Sequence, residues 1–300
     1  MTAHITVVGS LNMDLVTRAP RMPQPGETII GHDFHTLPGG KGANQAVAAA
    51  RLGGQVSMVG RVGNDAFGRS LRTNLDNAKV DHVYVLEHEQ ASTGVALIVV
   101  DDTGQNSIVV ASGANARLTP DDIEAAAPAI ADADVLFLQL ETPIETVGRA
   151  AAIAHAHDVT VVLNPAPAQR LPSDLLRLVD ILIPNESETA LLTGLPIQNL
   201  DQAENAASVL MDWGVGTVIL TLGARGAMLA QSERAEVFPA FSVTPVDTTA
   251  AGDAFVGGFG VALGEGKTLD QAVRWGNAAG ALATIRLGAQ PSLTSVPSQV

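Results

Sequence analysis

From about Asp132 onward, short runs rich in Val, Ile and Leu alternate with longer stretches of helical spacing. "DVLFLQL", "VTVVLNP", "DILIPN" and "GTVILTLG" have the length and composition of buried strands, and "IETVGRAAAIAHAH" and "DQAENAASVLMDWG" lie among them as helices. Strands that are apolar throughout and joined by helices pair in parallel. Each crossover helix then packs on a sheet face, so both faces are covered. Upstream, "HITVVGS" and "QVSMVGRVGND" read as strands, and "GANQAVAAARLGG" and "AFGRSLRTNLDNA" as helices. The expected fold is α/β, a three-layer sandwich with a mostly parallel central sheet, in one domain spanning residues 1–300.

Composition agrees and removes several function classes. Hydrophobic residues make up 46% and aromatic residues 3%, so the core must be built from Ala, Val, Leu and Ile. The formal net charge of −14 disfavours nucleic acid and anionic membrane as partners. With no cysteine, disulfides, thiolate nucleophiles and thiolate metal sites are excluded. The seven histidines are scattered with no metal-binding spacing and read as surface or core filler. "MTAHITVVGSLNMDLV" lacks a basic leader region, and no apolar run approaches the roughly 18 residues of a membrane span. A soluble cytoplasmic protein is expected.

Two segments break the alternation. Asp14 to Pro38 is proline-rich and short-stranded, and Ser92 to Asn115 reads as a hairpin, "VALIVV" and "SIVVA" joined by a turn at "DDTGQN". Alternation puts Ala96 with Ile98 on one face of the first arm, and Ile108 with Val110 on one face of the second. Together these segments, about residues 12–37 and 92–111, are expected to form a small projecting sheet. Its apolar face must cover a ligand, a second subunit, or both.

Ligands of open parallel sheets bind beyond the carboxyl ends of the strands. That edge should carry Asn12 and Asp14, Glu141, Asn164, Asn185 with Glu186 and Glu188, and Gly223, Arg225 and Gly226. So many carboxylates and carboxamides with few cations suit a polyhydroxylated substrate. Gly39 and Gly40 precede a helix opening near Lys41. No Ser or Thr follows Lys41 and no long strand is apparent before the glycines, so this is not a P-loop. It is either a tight turn or a pocket wall presenting Lys41 and Asn44. In "PNESE", Asn185 and Glu188 fit a helix cap or a cation site acting through water. "TLGARG" fits a plain turn or backbone wrapped around phosphates. "GSLNMD" after the first strand lacks a dinucleotide fingerprint, which argues against a nicotinamide enzyme.

"DTTAAGDAFVGGFG", Asp247 to Gly260, crowds small residues in front of Asp253 and then continues as a helix with Phe255, Phe259 and Leu263 at i, i+4 and i+8. Unpaired N–H groups at a helix start attract anions, and small side chains let a phosphate approach. Asp253 there could cap the helix, or take a proton from a hydroxyl attacking phosphorus. Spacing leaves both open.

"GGKGANQAVAAARLG" and "DTTAAGDAFVGGF" resemble the two signatures of the ribokinase-like carbohydrate kinases. "GSLNMD", "STGVALI", "GANA", "QLETP", "LNPAPA", "PNESE", "TLGARG" and "GAQPS" follow in the family's order, so the likeness covers essentially the whole chain. The resemblance implies ATP-dependent phosphorylation of D-ribose at its 5-hydroxyl. It implies sugar contacts from Asn12, Asp14, Gly40, Lys41, Gly42, Ala43, Asn44, Glu141 and Asp253. It makes Asp253 the general base and the amides of Ala250, Ala251, Gly252 and Asp253 an anion hole. The nucleotide would lie along Asn185, Thr221, Leu222, Gly223, Ala224, Arg225, Gly226, Gly252 and Asn277. Asn185 and Glu188 would reach magnesium through water. Potassium would sit with Asp247, Thr249, Ala283, Arg286, Gly288 and Ser292, mostly through backbone oxygens. The projecting sheet becomes a lid that also joins two copies in a homodimer. Two departures stand out. The family usually has glycine at the position of Ala250, and it usually continues into one more helix where this sequence ends in "PSLTSVPSQV". The nearest rival is the same chemistry on 2-deoxyribose or another pentose, and a further one is a sugar sensor without catalysis.

Overall fold

The computed structural model describes residues 1–295, which excludes the last five residues of the "PSLTSVPSQV" stretch. Thirteen strands are present among them: β1 (His4–Val8), β2 (Asn12–Ala19), β3 (Asp33–Gly39), β4 (Gln55–Gly63), β5 (Asp81–His88), β6 (Gly94–Asp101), β7 (Asn106–Ala111), β8 (Val135–Leu138), β9 (Thr160–Leu163), β10 (Ile181–Leu182), β11 (Thr217–Thr221), β12 (Ala227–Gln231) and β13 (Arg234–Phe238). Nine form the central sheet in the order β13-β12-β11-β10-β9-β8-β1-β4-β5. Every neighbouring pair from β11 to β5 is parallel. The β12–β13 hairpin adds two antiparallel strands at one edge. That hairpin and β5 are not evident from the hydrophobic pattern. β13 carries Arg234 and Glu236 on an exposed edge, as sheet edges commonly do.

The two sheet faces bury different halves of each strand. Val135 and Phe137 of β8 pack with the helices Lys41–Arg51 and Ala251–Gly264, whereas Leu136 and Leu138 pack with the helix Ile144–Ala156. This period-two division across a sheet covered on both sides is the three-layer sandwich expected from the sequence. No helix among the described residues is long and apolar enough to cross a membrane.

A second sheet, in the order β3-β2-β6-β7, stands apart from the first. β6 and β7 are the expected antiparallel hairpin, while β2 and β6 pair in parallel. Ala96 lies opposite Val110 and Ile98 opposite Ile108. Asp14 lies opposite both Ala96 and Leu37, so Asp14 shares that face. β3 runs for seven residues straight into Gly39. This corrects the reading that no long strand precedes the Gly39–Gly40 pair. The strand escapes notice because its exposed, mixed sequence "DFHTLPG" has no apolar run.

Glycines in the Ala251–Gly264 helix mark close packing. A Cβ on Gly257 would meet the Ala48 Cβ at 2.6 Å, and one on Gly258 the Ala279 Cβ at 2.7 Å. A Cβ on Gly260 would fall on the ring of Phe137, which is fully buried. The helix is thus wedged between two others and the sheet, with its N-terminus aimed at the carboxyl edge. Phe255 and Phe259, one turn apart, stack with centroids 6.4 Å apart. Replacing Gly260 by Ala should therefore destabilise the fold by about 1–3 kcal/mol, the usual cost of overpacking, despite alanine's better helix propensity. Denaturant midpoints would measure this, and a midpoint equal to that of the unaltered protein would show that the Phe137 ring yields freely.

Candidate active site

The Ala251–Gly264 helix starts without a side-chain cap. Its N-cap is Ala250, in the left-handed conformation at φ 58°. Glycine adopts that backbone with less strain, which accounts for the usual family residue at this position. The Ala251 N–H donates to the Thr248 carbonyl at 3.2 Å. Among the described residues, the N–H groups of Gly252 and Asp253 donate to nothing, and a Cβ on Gly252 would meet no atom within 4 Å. Of the expected four amides, only that of Ala251 is engaged; those of Ala250, Gly252 and Asp253 donate to nothing among the described residues.

Asp253 does not cap the helix it starts. Its side chain turns inward, where Oδ2 accepts from Asn44 Nδ2 at 2.9 Å and Oδ1 from Gln45 Nε2 at 3.1 Å. Burial pushes the Asp253 carboxyl above its ordinary range, opposed by Lys41 and by these two amides. Asn44 and Gln45 lie in the first turn and a half of the Lys41–Arg51 helix. That helix sits tightly against the first strand's exit: Gly40 is left-handed at φ 89°, and a Cβ there would meet the Asn12 nitrogen at 2.6 Å. A Cβ on Gly42 would meet the Ser10 nitrogen at 2.6 Å, and Ala43 is buried beside it with its N–H on the Ser10 carbonyl.

Glu141 leaves the β8 edge and joins the same cluster. Its Oε2 accepts from the Ser10 hydroxyl, from the Lys41 N–H at 3.1 Å and from Asn12 Nδ2 at 3.5 Å. Asp14 faces it from the small sheet, with Gly39 leaving no room for a side chain against its carboxylate. Burial, then repulsion from Glu141 and Asp253, pushes Asp14 up to about 7. Burial alone would lower Lys41, but Asp253, Glu141, Glu188 and Asp14 outweigh it and hold the ammonium above its ordinary value. The sequence-predicted sugar-binding set thus converges on one point, with one cation among several carboxylates.

The predicted nucleotide residues lie along the neighbouring strand ends. Asn185 and Glu188 form a reciprocal capping box: Asn185 Oδ1 accepts from the Glu188 N–H at 2.8 Å, and Glu188 accepts from the Asn185 N–H at 2.9 Å. The cap reading of "PNESE" is realised, and burial pushes the Glu188 carboxyl up. Thr221 pairs with Asn185, Leu222 is buried, and Gly223–Arg225 make one helical turn with Ala224 exposed. The Leu222 N–H donates to the Gly226 carbonyl at 2.8 Å, and Arg225 is tied to Glu186. Asn277 is buried and donates to the Phe238 carbonyl at 2.9 Å, so its amide holds the exit of β13.

The two halves of the predicted potassium site come together. Thr284 carbonyl accepts from the Val246 and Asp247 N–H groups at 2.7 and 3.1 Å, and the Gly288 N–H donates to Asp247 Oδ2 at 2.8 Å. Thr249 donates to the other Asp247 oxygen through its N–H and hydroxyl. Burial acts against ionisation of Asp247, but the bonds from Thr249 and Gly288 outweigh it and hold the carboxyl below its ordinary value. Ala283 is buried, Arg286 is exposed, and the Ser292 hydroxyl is turned to the Ala289 carbonyl. No cluster of three or more His, Asp or Glu side chains able to hold a metal occurs among the described residues.

Sequence reading does not reach Gln45, Gln139 and Asn115, three buried polar residues of the site. Gln45 joins Asp253 to Asn164 and Gln139. Asn115 pairs with the Leu11 backbone in both directions and donates to Asn12 Oδ1 at 2.7 Å. The only signal for Gln45 is its place beside Asn44; Asn115 meets partners over 100 residues away.

The sequence matches the pfkB family carbohydrate kinase profile over residues 2–296. It is 44% identical to the ribokinase of Haemophilus influenzae over 98% of this chain and 96% of the relative. It is 41% identical to a deoxyribokinase of Salmonella typhi over 85% of this chain and 84% of that protein. The fold superposes on Arabidopsis thaliana ribokinase complexed with ribose and ATP with a TM-score of 0.91, at 34% identity, covering 98% of this chain and 96% of that one.

A pH-dependent stability follows from Asp14. Its carboxyl titrates at about 7 when folded, whereas an unfolded aspartate titrates near about 3.9. Between these values the folded state holds a proton that the unfolded state has lost. The contribution is complete below pH 4 and disappears as pH rises through 7. Asp14→Asn should therefore gain stability relative to the unaltered protein as pH goes from 5 to 8 without ligands. Parallel denaturation midpoints of the two proteins across that range would contradict it.

Proposed function

The chain belongs to the pfkB family of carbohydrate kinases, and we propose that it transfers the γ-phosphoryl group of ATP to the 5-hydroxyl of D-ribose. The observation that carries this reading is Asp253. It is a buried carboxylate that leaves its own helix start uncapped and lies at the centre of the hydroxyl-binding set. Asn12, Asp14, Gly40, Lys41, Asn44 and Glu141 hold the sugar, with the Gly42–Ala43 backbone behind them. Asp253 takes the proton of the 5-hydroxyl. The sugar oxygen then bonds to the γ-phosphorus as the bond to the β–γ bridging oxygen breaks and ADP leaves. The free amides of Ala250, Gly252 and Asp253 face the charge that grows on the transferring group and supply donors without a cationic side chain, in a chain of net charge −14. ATP lies along Asn185 and the 221–226 turn.

Magnesium would be carried mainly by the nucleotide phosphates, and Asn185 and Glu188 would reach it through water. There it would supply positive charge against that of the phosphates. Potassium would be held where Asp247 and Thr249 meet Ala283, Arg286, Gly288 and Ser292, beside an Asp247 carboxyl that hydrogen bonds from Thr249 and Gly288 hold below its ordinary value. With ATP as donor, the activity belongs in the cytoplasm. Closure of the small sheet over the sugar excludes water that would otherwise take the phosphoryl group. The same sheet joins two copies: β7 is exposed along its whole length, including Ile108, Val109 and Val110. Ile108→Asp should then lower the mass seen in sedimentation equilibrium to that of a monomer. An unchanged mass would remove the dimer through this sheet.

The deoxyribokinase relative supports 2-deoxyribose as a second reading. ADP release with each sugar, in magnesium and potassium, separates the two. The first reading expects a higher kcat/KM for D-ribose, since Asp14 and Asn44 reward a 2-hydroxyl, and no turnover on either sugar would sink both. Asp253→Asn should keep ribose binding while kcat falls at least about 10²-fold, the scale of lost general-base catalysis. Near-normal turnover of that variant would leave Asp253 without a chemical role.

A further inference from the structure

Behind Asp253 lies a chain of buried carboxamides that no substrate contact requires. Gln45 is fully buried and Gln139 is 1% exposed. The Gln45 Nε2 group has two protons and two acceptors, Asp253 Oδ1 at 3.1 Å and Asn164 Oδ1 at 3.2 Å. Gln45 Oε1 accepts from Gln139 Nε2 at 2.6 Å. These partners fix the sense of the amide. Turned over, it would aim its carbonyl oxygen at a carboxylate and a second carbonyl, and its NH2 group at a donor. Asn164 is fixed in turn by donating to the Ile183 carbonyl at 2.8 Å.

Asn44 and Gln45 are not equivalent donors. Asn44 holds Asp253 Oδ2, but its own Oδ1 is buried with no hydrogen-bond partner, so its amide is open to a sugar hydroxyl. Gln45 has every polar atom committed to protein and stays in place whether or not the sugar is present. We propose that Gln45 is a positioning residue for phosphoryl transfer: held by Gln139 and Asn164, it fixes Asp253 Oδ1 and with it the plane in which the carboxylate meets the 5-hydroxyl. This rests on the general-base role of Asp253 proposed above.

The groups around Asp253 make a fixed neutral donor valuable. Asp14 from the small sheet, Glu141 from beyond β8 and Glu188 from the Glu186–Thr193 helix all repel its charge, and Lys41 alone among the cations facing it offsets them. Gln45 favours the ionised carboxylate without adding a charge that the substrate would have to match. Removing its N–H should raise the proton affinity of Asp253 and loosen its orientation.

The test compares the unaltered protein with Gln45→Met, close in shape but without a donor, and with Gln139→Met, which frees Gln45 to turn. In Gln45→Met, kcat for ribose-dependent ADP release should fall about tenfold, part of the general-base contribution, with ribose affinity by calorimetry held within about threefold. The acidic limb of the kcat–pH profile should move up by about one pH unit, the scale of a hydrogen bond to a charged group. Gln139→Met should move it the same way by less, and it decides the matter if Gln45→Met does not fold. A profile that stays in place, or kcat and affinity falling together at every pH, would overturn the role while leaving the kinase reading intact. An unaltered protein with no ribose-dependent turnover would remove that reading and this role together.

Discussion

A helix that starts at the carboxyl edge of a sheet with no side-chain cap leaves backbone donors unpaired, and the site is organised around that deficit. Asp253, at the third helical position, could have reached back to the Ala250 N–H as the acidic half of a capping box. Instead a left-handed Ala250 brings the chain in, and the carboxylate turns away to Asn44 and Gln45. The N–H groups of Ala250, Gly252 and Asp253 are left free for an anion. The glycines further along the helix belong to the same arrangement. They let it sink between two helices and β8, which fixes where its first turn points.

The second organising quantity is charge. Asp14, Glu141, Asp253 and Glu188 share the field of Lys41, and burial presses Asp14, Asp253 and Glu188 toward their neutral forms. Such a cluster is costly in the free protein and suited to a ligand rich in hydroxyl groups, which can donate to each carboxylate. Neutral amides rather than extra cations complete the pairing: Asn12 to Glu141, and Asn44 and Gln45 to Asp253. The lid strand β2 brings Asp14 into this field, and Asn115 locks the root of that strand through Leu11 and Asn12.

Much of this was legible in the chain. The parallel strands announced themselves as apolar runs because both of their faces are buried. The two signature stretches mark the helix starts, and the strand pattern alone puts strand-end residues such as Glu141 and Asn164 at one edge. The edge hairpin β12–β13 and the lid strand β3 were harder to see, since half-exposed strands carry mixed sequences without a clean period. In "PNESE" the residues served a cap and a site reading equally, and only geometry showed the capping box.

The sequence by itself determined the layer architecture, the family and the residues that must crowd the sheet's carboxyl edge. These depend on local periodicity and on short contiguous motifs. The tertiary structure alone decided that Asp253 is not a cap, that Gln45 and Asn44 hold its two oxygens, and that Asp14 titrates near neutrality. Those outcomes depend on burial and on hydrogen bonds between residues some two hundred positions apart, and no local pattern encodes a partner at that distance.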